Sequence, residues 1–282
     1  MKLYSARIPV LLCSLIVCAQ LSCDQPSVPV GPKKKSASTE SDESTSDEAE
    51  SSVDPQPKTP VKIPAPTPKL LKKAHSVTVR LGNEAFDGSG VIIHRDDQSL
   101  YILTVAHAVR ERINRVEIFA GKETPIAELN QVKVLSKQER ADLALIQVPI
   151  SDDIETTVAR IAKLEEDDPQ PAFGYSVGCG DGKPPSTHRE HILGAHSIRI
   201  ELESGSTNRY MWRTESPQEQ GRSGGPLLDV NGDLLGIALG KYADRGYYAH
   251  LREISEYLID SGLANLVTYP DRSQVADKPQ GK

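Results

Sequence analysis

Cysteine is almost missing from the part of this sequence that can fold. Of the 4 cysteines in 282 residues, Cys13, Cys18 and Cys23 fall near the start and Cys179 stands alone, so no internal disulfide can staple a domain. A body of about 190 residues buries enough apolar surface to fold without one, which leaves the redox compartment open. Positive charge is also short: 33 Lys and Arg against 39 Asp and Glu give a net charge of −6, much of it from Glu40, Asp42, Glu43, Asp47, Glu48 and Glu50. That balance offers no electrostatic case for nucleic acid. The N-terminal apolar run, Ile8 to Ala19, has about a dozen residues where a membrane span needs about 20. Gly178-Cys179-Gly180-Asp181-Gly182 lacks the Gly-Lys-Ser/Thr ending of a phosphate loop and reads as a flexible loop. His188, His191 and His196 lie in a polar segment with no carboxylate-histidine motif, so neither a metal nor a cofactor is expected.

What is present divides the chain in order. Lys2 and Arg7 before the apolar run give the pattern of a signal peptide over residues 1–23, and with it an exported protein of the periplasm or cell envelope. Two processing readings stand side by side. Val17-Cys18-Ala19 offers the small-residue pattern cut by a signal peptidase, whereas Gln20-Leu21-Ser22-Cys23 resembles a bacterial lipobox, with Gln20 where leucine is usual. On the second reading Cys23 is lipidated and tethers the protein to a membrane. Residues 24–72 combine Lys33-Lys34-Lys35, a Ser/Glu/Asp block and Pro55, Pro57, Pro60, Pro64, Pro66 and Pro68, a composition too poor in apolar surface to fold. This stretch is expected to be a disordered linker, with one domain over 73–265 and a flexible tail over 266–282.

From Ser76 onward the texture is β-rich. Val77–Leu81, Gly90–His94, Tyr101–Thr104, Val116–Phe119, Val132–Leu135, Leu143–Val148, His196–Glu201 and Leu234–Leu239 are short runs punctuated by Gly, Asn and Asp. Asn231-Gly232 between apolar flanks predicts a tight hairpin turn, and Leu251–Leu263 is the one strong helical stretch, with Gly262 as a stop. Trp212 and Tyr247-Tyr248 read as core packing. The pattern predicts an all-β body closed by a C-terminal helix.

Three short motifs carry the chemistry. In Gly221-Arg222-Ser223-Gly224-Gly225-Pro226 the glycines permit a tight turn that exposes the Ser223 hydroxyl and frees backbone N–H groups to converge on one spot. An ordinary Gly/Pro loop would also explain Gly-Gly-Pro. A serine hydroxyl is a weak nucleophile without a base, and Thr104-Val105-Ala106-His107 supplies a histidine at the end of an apolar run. Asp142 opens the apolar strand Leu143-Ala144-Leu145-Ile146, where a carboxylate needs a partner, and a histidine N–H is the natural one. With that set complete, Cys179 is not needed as a second nucleophile.

The order His107, Asp142, Ser223 within TVAHAV, ADLALIQV and GRSGGPLLD resembles the trypsin-like serine endopeptidases of the chymotrypsin fold. Gly88-Ser89-Gly90-Val91 ahead of YILTVAHAV is similar to the HtrA-like bacterial branch. The resemblance covers roughly residues 75–262 and implies two six-stranded antiparallel β-barrels with the active site between them. It implies catalytic roles for His107, Asp142 and Ser223, an oxyanion hole formed by the N–H groups of Gly221 and Ser223, and polypeptide substrates. It also places Leu239-Gly240-Lys241 and Arg245-Gly246-Tyr247 along the substrate-binding strands. Members of the branch often carry a following PDZ module, and the roughly twenty residues after the predicted helix are too few for one. Arg222 departs from the usual Asn or Asp before the serine, and neither Glu215 nor Glu219 gives a clear specificity signature. The rival expectation is a catalytically silent trypsin-like binding or sensing module of the cell envelope.

Overall fold

A computed structural model describes residues 62–163, 169–202 and 205–266. The elements are α1 (Pro68–Val77), β1 (Thr78–Gly82), β2 (Asp87–Arg95), β3 (Ser99–Thr104), α2 (Ala106–Arg110), β4 (Arg115–Ile118), β5 (Ala127–Leu129), β6 (Lys133–Gln138) and β7 (Leu143–Pro149). They continue with β8 (Phe173–Gly178), β9 (Ser186–Leu202), β10 (Gly205–Thr214), β11 (Pro226–Leu228), β12 (Leu234–Tyr242), β13 (Arg245–His250) and α3 (Leu251–Asp260). The first seven strands form one antiparallel sheet in the order β5-β4-β1-β2-β3-β7-β6, and the other six close into a barrel, β10-β13-β12-β11-β8-β9. The all-β, chymotrypsin-like expectation with a terminal helix therefore holds, with seven strands rather than six in the first sheet.

Apolar pattern decides where these strands lie. Leu143, Ala144, Leu145 and Ile146 are fully buried, because β7 runs between β3 and β6 with α2 packed on it. Ile102, Leu103, Val91 and Val79 pack with them in one continuous core that also takes in Trp212, Leu227, Ile237 and Tyr248 of the second barrel. Trp212 satisfies its indole by donating to Leu235 O at 2.8 Å. The Asn231-Gly232 turn joins β11 to β12: Gly232 sits at φ +74, and Asp229 accepts from the N–H groups of Asn231 and Asp233, each at 2.8 Å.

The folded body starts earlier than the composition predicts. The linker was expected to reach residue 72, but Thr67 caps α1 by accepting from Leu70 N at 3.2 Å, and Pro68 stands at the first helical position, where its missing N–H costs nothing. Ile63 is buried, and the carbonyls of Ile63 and Pro64 accept from Arg189 and the Tyr175 hydroxyl. At the other end α3 stops two residues before Gly262, which adopts φ +69; Gly262 N donates to Ile259 O at 2.9 Å and Leu263 N to Leu258 O at 2.8 Å. That pairing is a Schellman cap. At its start α3 is capped by His250 Nδ1, which accepts from Arg252 N, and burial pulls the His250 pKa down to about 4, keeping that nitrogen an acceptor. Cys23 and the other residues of the signal segment lie outside the described residues, as do residues 267–282 of the tail. No helix among the described residues is long and apolar enough to cross a membrane.

Candidate active site

Strand pairing brings His107 and Asp142 together. In the β3–β7 ladder Thr104 faces Ala144, so a residue three beyond Thr104 and one two before Ala144 emerge past the same end of the pair. His107 Nδ1 lies 2.8 Å from Asp142 Oδ2, and His107 N donates to Asp142 Oδ1 at 3.0 Å. Ala106 N donates to the Asp142 carbonyl at 3.1 Å, so both ends of the aspartate are fixed by the segment that carries the histidine. The carboxylate is largely covered, at 13% side-chain exposure, while the imidazole keeps 37%. Asp142 itself adopts φ +54, a left-handed conformation that a non-glycine residue holds only where surrounding contacts determine it.

Ser223 reaches the same region through its backbone. Ser89, at the start of β2, donates its N–H to Ser223 O at 2.9 Å and its hydroxyl to Gly221 O at 2.8 Å. The Ser89 carbonyl in turn accepts from the Thr104 hydroxyl at 2.8 Å, three residues before His107. The loop of the second barrel is thereby fastened to the strands of the first. Gln220 O accepts from Asp181 N and Arg222 O from Gly225 N, so every carbonyl from Gln220 to Ser223 has a protein donor. Among the described residues the N–H groups of Gly221 and Ser223 have no acceptor, and no hydrogen bond joins His107 Nε2 to the Ser223 hydroxyl.

Two neighbours of the loop differ from expectation. The Gly178–Gly182 segment, expected to be a flexible loop, is pinned: Cys179 N donates to the Ser89 hydroxyl, and Cys179 is fully buried. Burial pushes its thiol up to about 12, which leaves it inert as a nucleophile. Arg222, a charged residue that sequence alone would put in water, is 1% exposed and points into the second barrel. Its guanidinium donates to Ser176 O at 2.8 Å, the Ser186 hydroxyl at 2.8 Å, Ser186 O at 3.2 Å and Gly178 O at 3.3 Å. Carbonyl acceptors from two strands take the place of a counter-ion.

Near Arg222, Glu190 is buried with Oε2 unpartnered, and desolvation pushes its carboxyl up to about 7 against the opposing pull of Arg222. The folded state thus keeps a proton that an unfolded glutamate gives up near 4.5, so this group's favourable contribution is complete below that value and lost as pH rises through 7. Glu190→Gln is expected to stabilise the protein by about 1–3 kcal/mol at pH 8 and to leave it nearly unchanged at pH 4.5. Thermal melts at the two pH values check this; an equal shift at both would refute it.

The expected substrate-binding residues Leu239, Gly240 and Lys241 lie on β12, where the ladder to β13 slips between Ala238 and Gly240 and Gly240 opens to φ +144. β11 pairs with β12 only as far as Ile237, and the Gly224–Gly225 turn covers Ala238. Beyond that point the β12 edge away from β13 has no strand on it among the described residues. Glu215 and Glu219 are exposed, and the loop residue that packs inward is Gln218, whose amide donates to Tyr247 O at 2.9 Å. The roles of Ser89 and the inward course of Arg222 are not visible in the sequence; only the glycines flanking Ser89 hint at a close backbone approach.

The HtrA-like serine protease of Staphylococcus aureus (strain USA300) is 24% identical over 196 residues, covering 65% of this chain and 24% of the relative. The chain therefore spans about a quarter of the length of the curated relatives it matches. Among solved structures, the active form of the Rv3671c protease from M. tuberculosis superposes with a TM-score of 0.56 at 22% identity, covering 77% of this chain and 95% of that one. The serine endoprotease from Yersinia pestis gives 0.52 at 17% identity, covering 72% and 68%. These two likenesses concern the fold. A family model described as the trypsin-like peptidase domain matches residues 88–237, slightly more than half of the chain and a span that holds His107, Asp142 and Ser223, and the chain belongs to that family.

Proposed function

We propose that this protein is an exported serine endopeptidase working by acyl transfer. Ser223 attacks the peptide carbonyl, His107 takes its proton and later gives it to the leaving amine, and Asp142 holds the imidazole in the tautomer that leaves Nε2 free to act as base. The observation that carries the reading is the state of the serine loop. With the carbonyls of residues 220–223 all bound to protein donors, the N–H groups of Gly221 and Ser223 are the groups left to receive an oxyanion. A collapsed loop would instead turn a carbonyl toward that position, and each of these carbonyls is held elsewhere.

Polypeptides fit the uncovered edge of β12 at Leu239-Gly240-Lys241, where an extended chain can add as a strand and present its carbonyl to Ser223. The absent His107–Ser223 hydrogen bond fits an unliganded site, in which such contacts tighten only when substrate arrives. Export rests on Lys2, Arg7 and the apolar run that follows them, and a membrane tether on Cys23.

The test is a fluorophosphonate probe applied to the full-length protein beside Ser223→Ala, with unfolded casein as substrate. Labelling and cleavage by the parent, both abolished in Ser223→Ala, are the expected result. A folded parent that neither labels nor cleaves would overturn the enzyme reading in favour of a binding or sensing module.

A further inference from the structure

We infer that Arg209 is a positioning residue for the His107–Asp142 pair, reaching from the second barrel to hold the backbone of the turn that carries Asp142. The inference rests on the peptidase reading for its consequence in catalysis, though its geometry stands without it. Arg209 lies on β10, about seventy positions along the chain from that turn. Its Nε donates to Arg140 O at 2.7 Å and its Nη2 to Glu139 O at 3.0 Å. A planar guanidinium bound to two consecutive carbonyls fixes orientation as well as position, which one point contact cannot do. The same Glu139 carbonyl accepts from Asp142 N at 3.2 Å, so the fork grips the turn that sets Asp142 at φ +54.

A second strap runs beside the first. The Arg140 side chain pairs with Glu253 at 3.0 Å and Glu256 at 3.3 Å on α3, and Glu253 accepts from the N–H of Tyr210, next to Arg209. Arg209 is half-buried; burial lowers its pKa, and the Asp142 carboxylate is the first of the charges opposing that shift, so the two groups feel one another across the seam. Because Asp142 Oδ1 and Oδ2 both serve His107, a small rotation of the turn would cost both hydrogen bonds. Alignment of the base thus depends on how the second barrel seats against the first.

The experiment compares full-length parent, Arg209→Ala and Arg209→Lys, with Asp142→Asn as reference. The readouts are the melting temperature, kcat and KM on a peptide ester, and the low-field proton resonance of His107 Nδ1–H. Arg209→Ala is expected to lower kcat about 10–100-fold with KM within about 2-fold, and to broaden or remove the low-field signal. Free guanidinium ion should restore much of kcat in Arg209→Ala and none in Asp142→Asn, and Arg209→Lys should fall between parent and Arg209→Ala. A sharp, unshifted resonance in a folded Arg209→Ala protein overturns the inference, as does a fall in kcat that guanidinium leaves untouched while the resonance stays intact. If Arg209→Ala does not fold, the same comparison is decided by Arg209→Lys. If the parent itself proves inactive, the peptidase reading fails, and the resonance alone still decides whether Arg209 holds the pair.

Discussion

Replacing Asp142 by asparagine is expected to cut kcat by about 10⁴-fold while KM stays within a few-fold and the protein remains folded. The two carboxylate oxygens have separate tasks: Oδ1 accepts the main-chain N–H of His107, and Oδ2 accepts the ring N–H at Nδ1. Asparagine offers one oxygen and one amide. If its oxygen stays on the main-chain N–H, the amide faces Nδ1 and can only donate, forcing the ring proton to Nε2, where it blocks uptake of the serine proton. Turning the amide over sets two donors against each other at His107 N. Shape and volume hardly change, so the loss falls on chemistry rather than on stability. Kinetics on a peptide ester with a thermal melt alongside would measure it; a variant within tenfold of the parent would show that Asp142 does not set the tautomer.

Gly224→Ala is the largest effect expected from packing. Gly224 adopts φ +86, and a Cβ there would collide with Ser89 O and Thr104 Oγ1, the hydrogen-bonded pair that braces Ser89, the residue through which the first sheet holds the serine loop. Left-handed backbone and overpacking together should cost about 2–5 kcal/mol, which corresponds to a fall in Tm of about 4–20 °C for a domain of this size. The neighbouring backbone is what would give way, so fluorophosphonate labelling should vanish even at temperatures where the variant stays folded. A variant that melts and labels like the parent would mean that the loop has slack the geometry does not suggest.

Much of the first sheet was legible in the sequence, because its strands are apolar runs bounded by turn residues. YILT and LALIQV bury nearly every side chain, and His107 and Asp142 follow from their ends. The second barrel was harder to read. β9 and β10 form a long hairpin whose residues are mostly only partly covered, so Arg, His, Ser and Glu replace the alternation that marks a half-buried strand. Pro226 heads β11 directly after two glycines and reads as loop, and the prolines ahead of α1 hid a capped helix start. Nothing local marks Arg222 or Arg209 as a donor to main-chain carbonyls, because the carbonyls that accept from them lie 36–46 and 69–70 positions away. Local pattern shows what a residue would do in water, and only the fold supplies distant acceptors.

Ser89 gives the molecule a property that neither barrel has separately. One small residue on the first sheet holds Gly221 and Cys179 of the second half through its hydroxyl and Ser223 through its N–H, and its own carbonyl is held by Thr104. A polypeptide cut between β7 and β8 would divide His107 from Ser223 and would also leave the serine loop without the template that shapes it. The first fragment would keep the His107–Asp142 pair without a serine and the second a serine loop without Ser89, so hydrolysis would report reassembly of the two pieces as an all-or-none event, with the seam rather than either lobe as the unit on which selection for activity acts.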